Sequence, residues 1–364
     1  MKSFLILILV AWSVRGASSQ IPGAQQNNRQ GSLTVFPVFQ RWSVQDGNAF
    51  SETSVEFSLS QPIGRQTTIS LRGAGASAGG DITSLSGLAD AQLAIQHRLE
   101  KQHLVLSLGF NLPSGHKELT SDEFQTSLLL SNRFFDLQTP NFGTGLNINP
   151  GVIWAFQMSE NVVLGLGGSY QYKGKFKPLE GLGDYDPGDE FLLTAGMDVA
   201  PGSTETASVD IVFTAYGKDK LDGEEVFASG NKVVANLQYR KYYDYDQLRV
   251  LARYRTRARN EFAVGSSLVA EPEKTDPDEF DLVGSYTIWF SESVSMGVLG
   301  EGRFYQVTAA SFPGKNLFGI GVTPVFAVSS AIKIPSRLKF QFGSLDGGSS
   351  VSGIEIGAGV EVMY

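Results

Sequence analysis

The 364-residue sequence contains no cysteine. Disulfides, thiolate metal sites, thiol catalysis and a lipid-modified cysteine behind an export signal are therefore excluded. Charge is sparse at 18%, and its excess is acidic, a net −8, which argues against a nucleic-acid partner. Beyond the N-terminus no run approaches the roughly 20 apolar residues that a membrane helix needs, so a helical membrane protein is excluded as well. No Pro-rich, charged or low-complexity linker divides a chain that is too long for one ordinary soluble core. One large closed sheet resolves that tension.

The N-terminus itself carries an export signal: Lys2, an apolar run from Phe4 to Trp12, and small residues around Gly16, Ala17 and Ser18 for cleavage. We expect a signal peptide over 1–18, a short periplasmic segment over 19–32 rich in Gln and Asn, and an outer-membrane domain over 33–364. The 41 Gly, 24 Phe and 12 Tyr, with a mean hydropathy near zero, suit a chain facing lipid on one side and water on the other.

From Leu33 onward, segments alternate apolar and polar side chains at period two, the signature of membrane strands of about 9–11 residues or slightly more. At the C-terminus Ile354, Ile356, Ala358, Val360, Val362 and Tyr364 share one face, and Glu355, Gly357, Gly359 and Glu361 the other. The aromatic last residue, Tyr364, suits recognition by the barrel-assembly machinery. Leu104, Leu106, Leu108, Phe110 and Leu112 form another such face, as do Phe191, Leu193, Ala195, Met197 and Val199. In a soluble sandwich the same face would be a core. The expected fold is all-β: a transmembrane antiparallel up-and-down β-barrel in outer-membrane lipid.

Tight turns at 100–102, 159–161, 201–204, 244–246 and 291–293 alternate with long connections, read as 73–87, 113–145, 174–188, 217–230, 260–278, 308–315 and 344–351. Short turns belong in the periplasm and long loops outside. The segment Phe124 to Phe135 breaks this alternation. Thr120 with Glu123 forms a capping-box pattern, and Phe124 with Leu128, then Leu130 with Phe134, have i to i+4 spacing. One reading is a short helix in the 113–145 loop acting as a lid or plug through Phe124, Leu128 and Phe134; the other is a strand of an extracellular hairpin. Without it sixteen strands remain, or fourteen if the segments near Leu33 and Leu338 are not separate wall strands.

Parity places Arg249, Arg253, Arg255, Arg257 and Arg259 on the lumen face of one strand, with Leu248, Val250, Ala252 and Tyr254 outward. Arg240 and Lys232 follow on one side, and Asp281, then Glu301 and Arg303, on the other. The ladder either sets a field favouring anionic or polar solutes or is consumed in cross-strand ion pairs. Acidic loops at 184–190 and 271–281 are either solvated carboxylates, the commoner case, or a calcium site at the outer surface, and neither has the spacing of an EF-hand loop.

Gly75-Ala-Ser77-Ala-Gly79 has the G-x-S-x-G spacing of a nucleophile elbow, which also requires a following helix and a relay histidine. His97 and His103 flank a periplasmic turn at the other end of the barrel, and His116 lies in an outer loop. We expect no enzyme, no catalytic residue, no cofactor and no metal.

Ser86-Gly-Leu-Ala-Asp90, Gln96-His-Arg-Leu99 and Leu112-Pro-Ser-Gly115 resemble the G-L-G-D, Y-R-L and L-P-T-G elements of the phenol-degradation-pathway outer-membrane transporters. That family is distantly like the fatty-acid and aromatic-hydrocarbon channels. The resemblance implies a barrel assisting uptake of small organic compounds. The expected function is thus passage of small solutes through a charged lumen; the alternative is a non-transporting barrel whose acidic loops serve adhesion or envelope interaction.

Overall fold

The computed structural model describes residues 30–364, except 46, 116–117, 140–141, 307–313 and 346–347. The expected signal peptide, most of the 19–32 segment and His116 lie outside the described residues. Among the described residues sixteen antiparallel strands follow one another around a closed wall. They are β1 (Ser32–Val44), β2 (Ala49–Ile63), β3 (Thr67–Gly80), β4 (Leu85–Leu88 continuing as Ala91–Leu99), β5 (Leu104–Leu112), β6 (Asn147–Ser159), β7 (Val162–Lys173) and β8 (Glu190–Val199). Then come β9 (Glu205–Tyr216), β10 (Lys232–Tyr242), β11 (Gln247–Arg257), β12 (Glu279–Trp289), β13 (Val294–Tyr305), β14 (Gly314–Ala327), β15 (Ile332–Leu345) and β16 (Ser350–Ala358 with Val360–Met363).

Closure is carried by β1, which pairs β2 on one edge and β16 on the other; Phe39 faces Thr53 and Ile356. Gly31 and Tyr364 exchange backbone hydrogen bonds of 2.8 and 3.0 Å, so the last residue seals the seam. A closed sheet leaves no unpaired edge, which is the condition for a strand-built wall in hydrocarbon. The alternation explains which side meets lipid. On β1, Leu33, Val35 and Phe39 are exposed, whereas Phe36, Val38, Gln40 and Trp42 are buried inward. Similar outward rows run around the wall, including Leu193, Ile211, Leu237, Tyr254, Ile320 and Phe340. An apolar belt of this extent is unfavourable in water and is solvated by lipid.

The segments near Leu33 and Leu338 are full wall strands, so the count is sixteen and not fourteen. Two connections are shorter than the sequence suggests. The stretch 73–87 is strand up to Gly80 and strand again from Leu85, and the 344–351 loop shrinks to the residues between Leu345 and Ser350. Small residues there read as a loop, yet Ala76 and Ala78 belong to a buried cluster against Leu130 and Phe134 and leave room for an element inside the barrel. That element is α1 (Ser121–Leu130), the only α-helix among the described residues. Thr120 and Glu123 form a reciprocal capping box at its start. The helix stops at Leu130, so Phe134 and Phe135 belong to the irregular segment behind it.

Outside the wall, three loops join into a five-stranded sheet of Tyr185–Asp186, Lys218–Leu221, Glu224–Ala228, Glu261–Val264 and Ser267–Ala270. Its acidic residues are largely engaged. Tyr185 donates to Asp219, Lys218 pairs with Glu225 at 2.7 Å, and Glu271 accepts from Asn260 N at 3.0 Å and from Thr275. No cluster able to hold a metal ion occurs among the described residues.

Candidate functional site

The loop between β5 and β6 enters the barrel and docks on one side of it. Phe134, Phe135, Leu130, Leu137 and Phe142 form a cluster with Trp42, Phe50, Leu317 and Val351 of the wall. Phe135 meets Trp42 at 5.3 Å and Phe50 at 4.9 Å, both edge to face, and Phe134 meets Tyr305 at 5.7 Å. Of the expected plug residues, Phe134 is at the centre and Phe124 packs on the periphery. Leu128 is 55% exposed and anchors nothing.

Beneath the aromatic cluster the contacts are polar. Gln40 of β1 reads two loop positions at once, donating to the Asp136 carbonyl at 3.2 Å and accepting from Gln138 N at 3.0 Å. Glu52 of β2 accepts from Thr139 N at 3.0 Å. Arg303 donates to Asp136 Oδ2 at 2.7 Å, and behind it Glu301, Lys339, Glu355 and Arg337 form a continuous buried ion network over β13, β15 and β16. Asp136 takes a left-handed backbone, φ 48°, a conformation that Asp tolerates better than most residues.

Burial alone would raise the Asp136 carboxyl. The charges of Arg303 and Lys339 more than offset this and hold it below its ordinary 3.8. A carboxyl so depressed by docking supports the docked state fully above 3.8 and loses that support only as the pH falls through its lower docked value. Hydrogen exchange of loop amides should therefore show the loop docked from neutrality to about pH 5. Release within that interval would show that Asp136 is not an anchor.

The loop's two stems meet at Asp90. Its carboxylate accepts from Gly115 N at 2.8 Å, Thr144 N at 2.7 Å and Asn111 Nδ2 at 2.9 Å, while Ser114 Oγ accepts from Ala91 N at 2.8 Å. A Cβ on Gly115 would lie 2.4 Å from the Phe142 carbonyl, so no larger residue fits there. Asp90 and Leu112 to Gly115 are the ends of two of the elements resembling the phenol-degradation transporters; here they build a loop hinge. Asp90→Ala removes charge-assisted hydrogen bonds worth about 1.5–3 kcal/mol each before repacking. The expected outcome is faster amide exchange at both Gly115 and Thr144; a change at one stem only would contradict the shared hinge.

Opposite the docked loop, the lumen face of β9 to β12 is organised as register rows. From the end that carries the short turns these are Thr206, Arg240, Arg249, Ser285; then Ser208, Gln238, Leu251, Val283; then Asp210, Asn236, Arg253, Asp281; then Val212, Val234, Arg255, Glu279; and Thr214, Lys232, Arg257. The upper arginines are engaged. Arg253 Nε donates to Asn236 Oδ1 at 2.9 Å, and Asn236 donates on to Asp210 at 2.7 Å. Arg255 pairs with Glu279, which also attracts the loop's Arg133 at 3.6 Å, and Arg257 pairs with Asp276 at 3.1 Å. Arg259 lies past the strand end and is exposed, so the ladder stops at Arg257. Tyr216 lies near three cations, with Arg257 at 4.9 Å, Lys232 at 5.7 Å and Lys173 at 6.0 Å from the ring centre.

Arg240, Arg249, Arg253, Arg255, Arg257, Asp281, Glu301 and Arg303 all occupy the inner parity of their strands. Sequence reasoning missed Gln40, Glu52, Asp90 and Asp136, the residues that hold the loop; the alternation on β1 and β2 was the available signal for the first two. Ser77 is an exposed residue inside β3, flanked by inward Ala76 and Ala78. The nucleophile-elbow geometry of strand, sharp turn and helix is therefore not formed. His97 is hydrogen-bonded with Thr67 Oγ1 at 2.9 Å near the 100–102 turn.

No protein-family model and no curated protein matches the sequence. Among solved structures, CdiB from Acinetobacter baumannii aligns over 91% of this chain at TM-score 0.55 and 9% identity; the chain spans 60% of CdiB's length. The CymD monoaromatic hydrocarbon channel aligns over 92% of this chain and 89% of its own at TM-score 0.48 and 10% identity. The outer membrane channel DcaP of Acinetobacter baumannii aligns over 94% and 100% at 0.46 and 11%. At 9% identity the likeness to CdiB shows the fold alone, a closed antiparallel β-barrel.

Proposed function

We propose that the protein is an outer-membrane channel through which small polar or charged solutes diffuse past a docked constriction loop. The observation that carries this reading is asymmetry: the loop packs on β1 to β4 and β13 to β16 and meets the facing wall at the Arg133–Glu279 pair on β12, while the rows of β9 to β12 present charged side chains to the interior. Arg133, on the loop, keeps 41% of its side chain exposed inside this charged region. Charges so placed need water, and a hydrated strip along a barrel axis is a conduction path.

Two of the three elements that resemble the phenol-degradation transporters end in the hinge, and the cargo is not taken from them. Export with cleavage near Ala17-Ser18 and recognition of Tyr364 by the assembly machinery belong to the same proposal. Solute entry into liposomes tests it. Uptake of small charged and neutral solutes above the empty-vesicle rate supports a channel, and no uptake, with the loop present or excised, would sink it. A second reading, adhesion, is favoured by the outer sheet, whose hairpin exposes Phe262, Val264 and Val269. Partner binding that survives lumen substitutions but not removal of that hairpin would support it.

A further inference from the structure

Arg240 and Arg249 face each other directly across β10 and β11. Like charges directly opposite on neighbouring strands repel, and a wall keeps such a pair only where something compensates it. Nothing among the described residues does. Among the described residues neither guanidinium has a carboxylate within ion-pairing distance. The hydrogen bond found for Arg240 is a long one, from Nη1 to Tyr242 Oη at 3.4 Å, and its Nε is buried without a partner. The register neighbours extend the same character: Thr206 lies beside Arg240 on β9 and Ser285 beside Arg249 on β12. The next row inward, Ser208, Gln238, Leu251 and Val283, carries no charge on β9 to β12, and its one carboxylate, Asp198, stands beyond Ser208 on β8, two strands from Arg240. The carboxylates Asp210 and Asp281 are two rows away, and Asp210 is already bonded to Asn236.

We infer that this row is an oxyanion-binding site at the periplasmic end of the lumen, taking a small carboxylate or phosphate between the two guanidiniums. Their planar forks match a two-oxygen acceptor, and the flanking hydroxyls supply further donors. The inference rests on the channel reading for its purpose but not for its existence. It also relocates anion recognition: Arg255 and Arg257 are ion-paired and Arg253 is hydrogen-bonded to Asn236, whereas the two guanidiniums below them face each other with no ion pair among the described residues.

Arginine modification by phenylglyoxal, read by peptide mass mapping on the purified full-length barrel in detergent, tests the site without requiring flux. Inorganic phosphate or sodium acetate should slow modification of Arg240 and Arg249 several-fold relative to sodium chloride at equal ionic strength, with no comparable effect at Arg255 or Arg257. The two arms distinguish a phosphate from a carboxylate ligand, and protection by either supports the site. Equal rates with both anions and chloride would overturn it. Arg249→Gln should abolish protection at Arg240; retained protection in that variant would show that the pair does not act as one site. Protection without solute uptake in liposomes would keep the site and remove the channel, so the two failures are separable.

Discussion

Replacing residues 119–139 by a short Gly-Ser linker raises single-channel conductance several-fold in planar bilayers and leaves the barrel folded. The size of the effect follows from what is removed: α1, the loop's Phe134 and Phe135, and the charged Arg133 and Asp136, which together occupy the outer part of the lumen. The barrel survives because the excised segment contributes no wall strand. A short linker suffices because Gly115 and Thr144 are held by the same Asp90 carboxylate, so the stems already lie together. The inner surface left behind, with Trp42 and Phe50, becomes wetted, which costs stability but does not open the sheet. Unchanged conductance in a folded variant would mean that the loop does not obstruct the conduction path.

Asp136→Ala produces the second large effect. Arg303 is buried with 9% of its side chain exposed, and its other acidic neighbour, Glu301, stands at 3.6 Å and is shared with Lys339. Removing one member of a buried pair leaves an uncompensated charge, at a cost of about 3–5 kcal/mol. That cost falls on the docked state, because an undocked loop lets water reach Arg303. Amide exchange in residues 130–139 should accelerate by orders of magnitude, and bilayer currents should fluctuate between the wild-type level and that of the excised variant. Replacing both partners by apolar residues, Asp136→Leu with Arg303→Met, should restore most of the docking, since an apolar pair of similar volume carries no unpaired charge. A double variant as loose as the single one would place the anchor elsewhere.

Most of the wall was legible in the sequence because a two-sided solvent writes itself into alternate residues. Phe191 to Val199 and Ile354 to Tyr364 show it plainly, and the tight turns at 100–102 and 244–246 fix the direction of each strand. The stretch 73–80 misled because its small residues signal a loop, when in fact they make space for the helix inside the barrel. The capping box at Thr120 and Glu123 made α1 one of two open readings beside a hairpin strand, and its i to i+4 pattern overstated Leu128, since a helix lying in a hydrated lumen can leave an apolar face open. Arg240 and Arg249 were assigned to the lumen by parity alone. That they lack partners while Arg253, Arg255 and Arg257 have them depends on neighbouring strands and on the loops carrying Asp276 and Glu279, which one strand's periodicity does not contain. Asp90 and Asp136 hold long-range contacts with no periodic trace at all.

The chain's lack of native cysteine makes thiol labelling the most direct test of a water-filled, loop-constricted lumen. Single cysteines at Arg249 and Val250, adjacent on β11 and of opposite parity, are exposed in proteoliposomes to a small membrane-impermeant thiol reagent. The cysteine at 249 should react, faster still once residues 119–139 are excised, while the one at 250 reacts only with a lipid-soluble maleimide. Reaction at 250 with 249 protected would mean that the wall is inside out and that no aqueous path runs beside the loop.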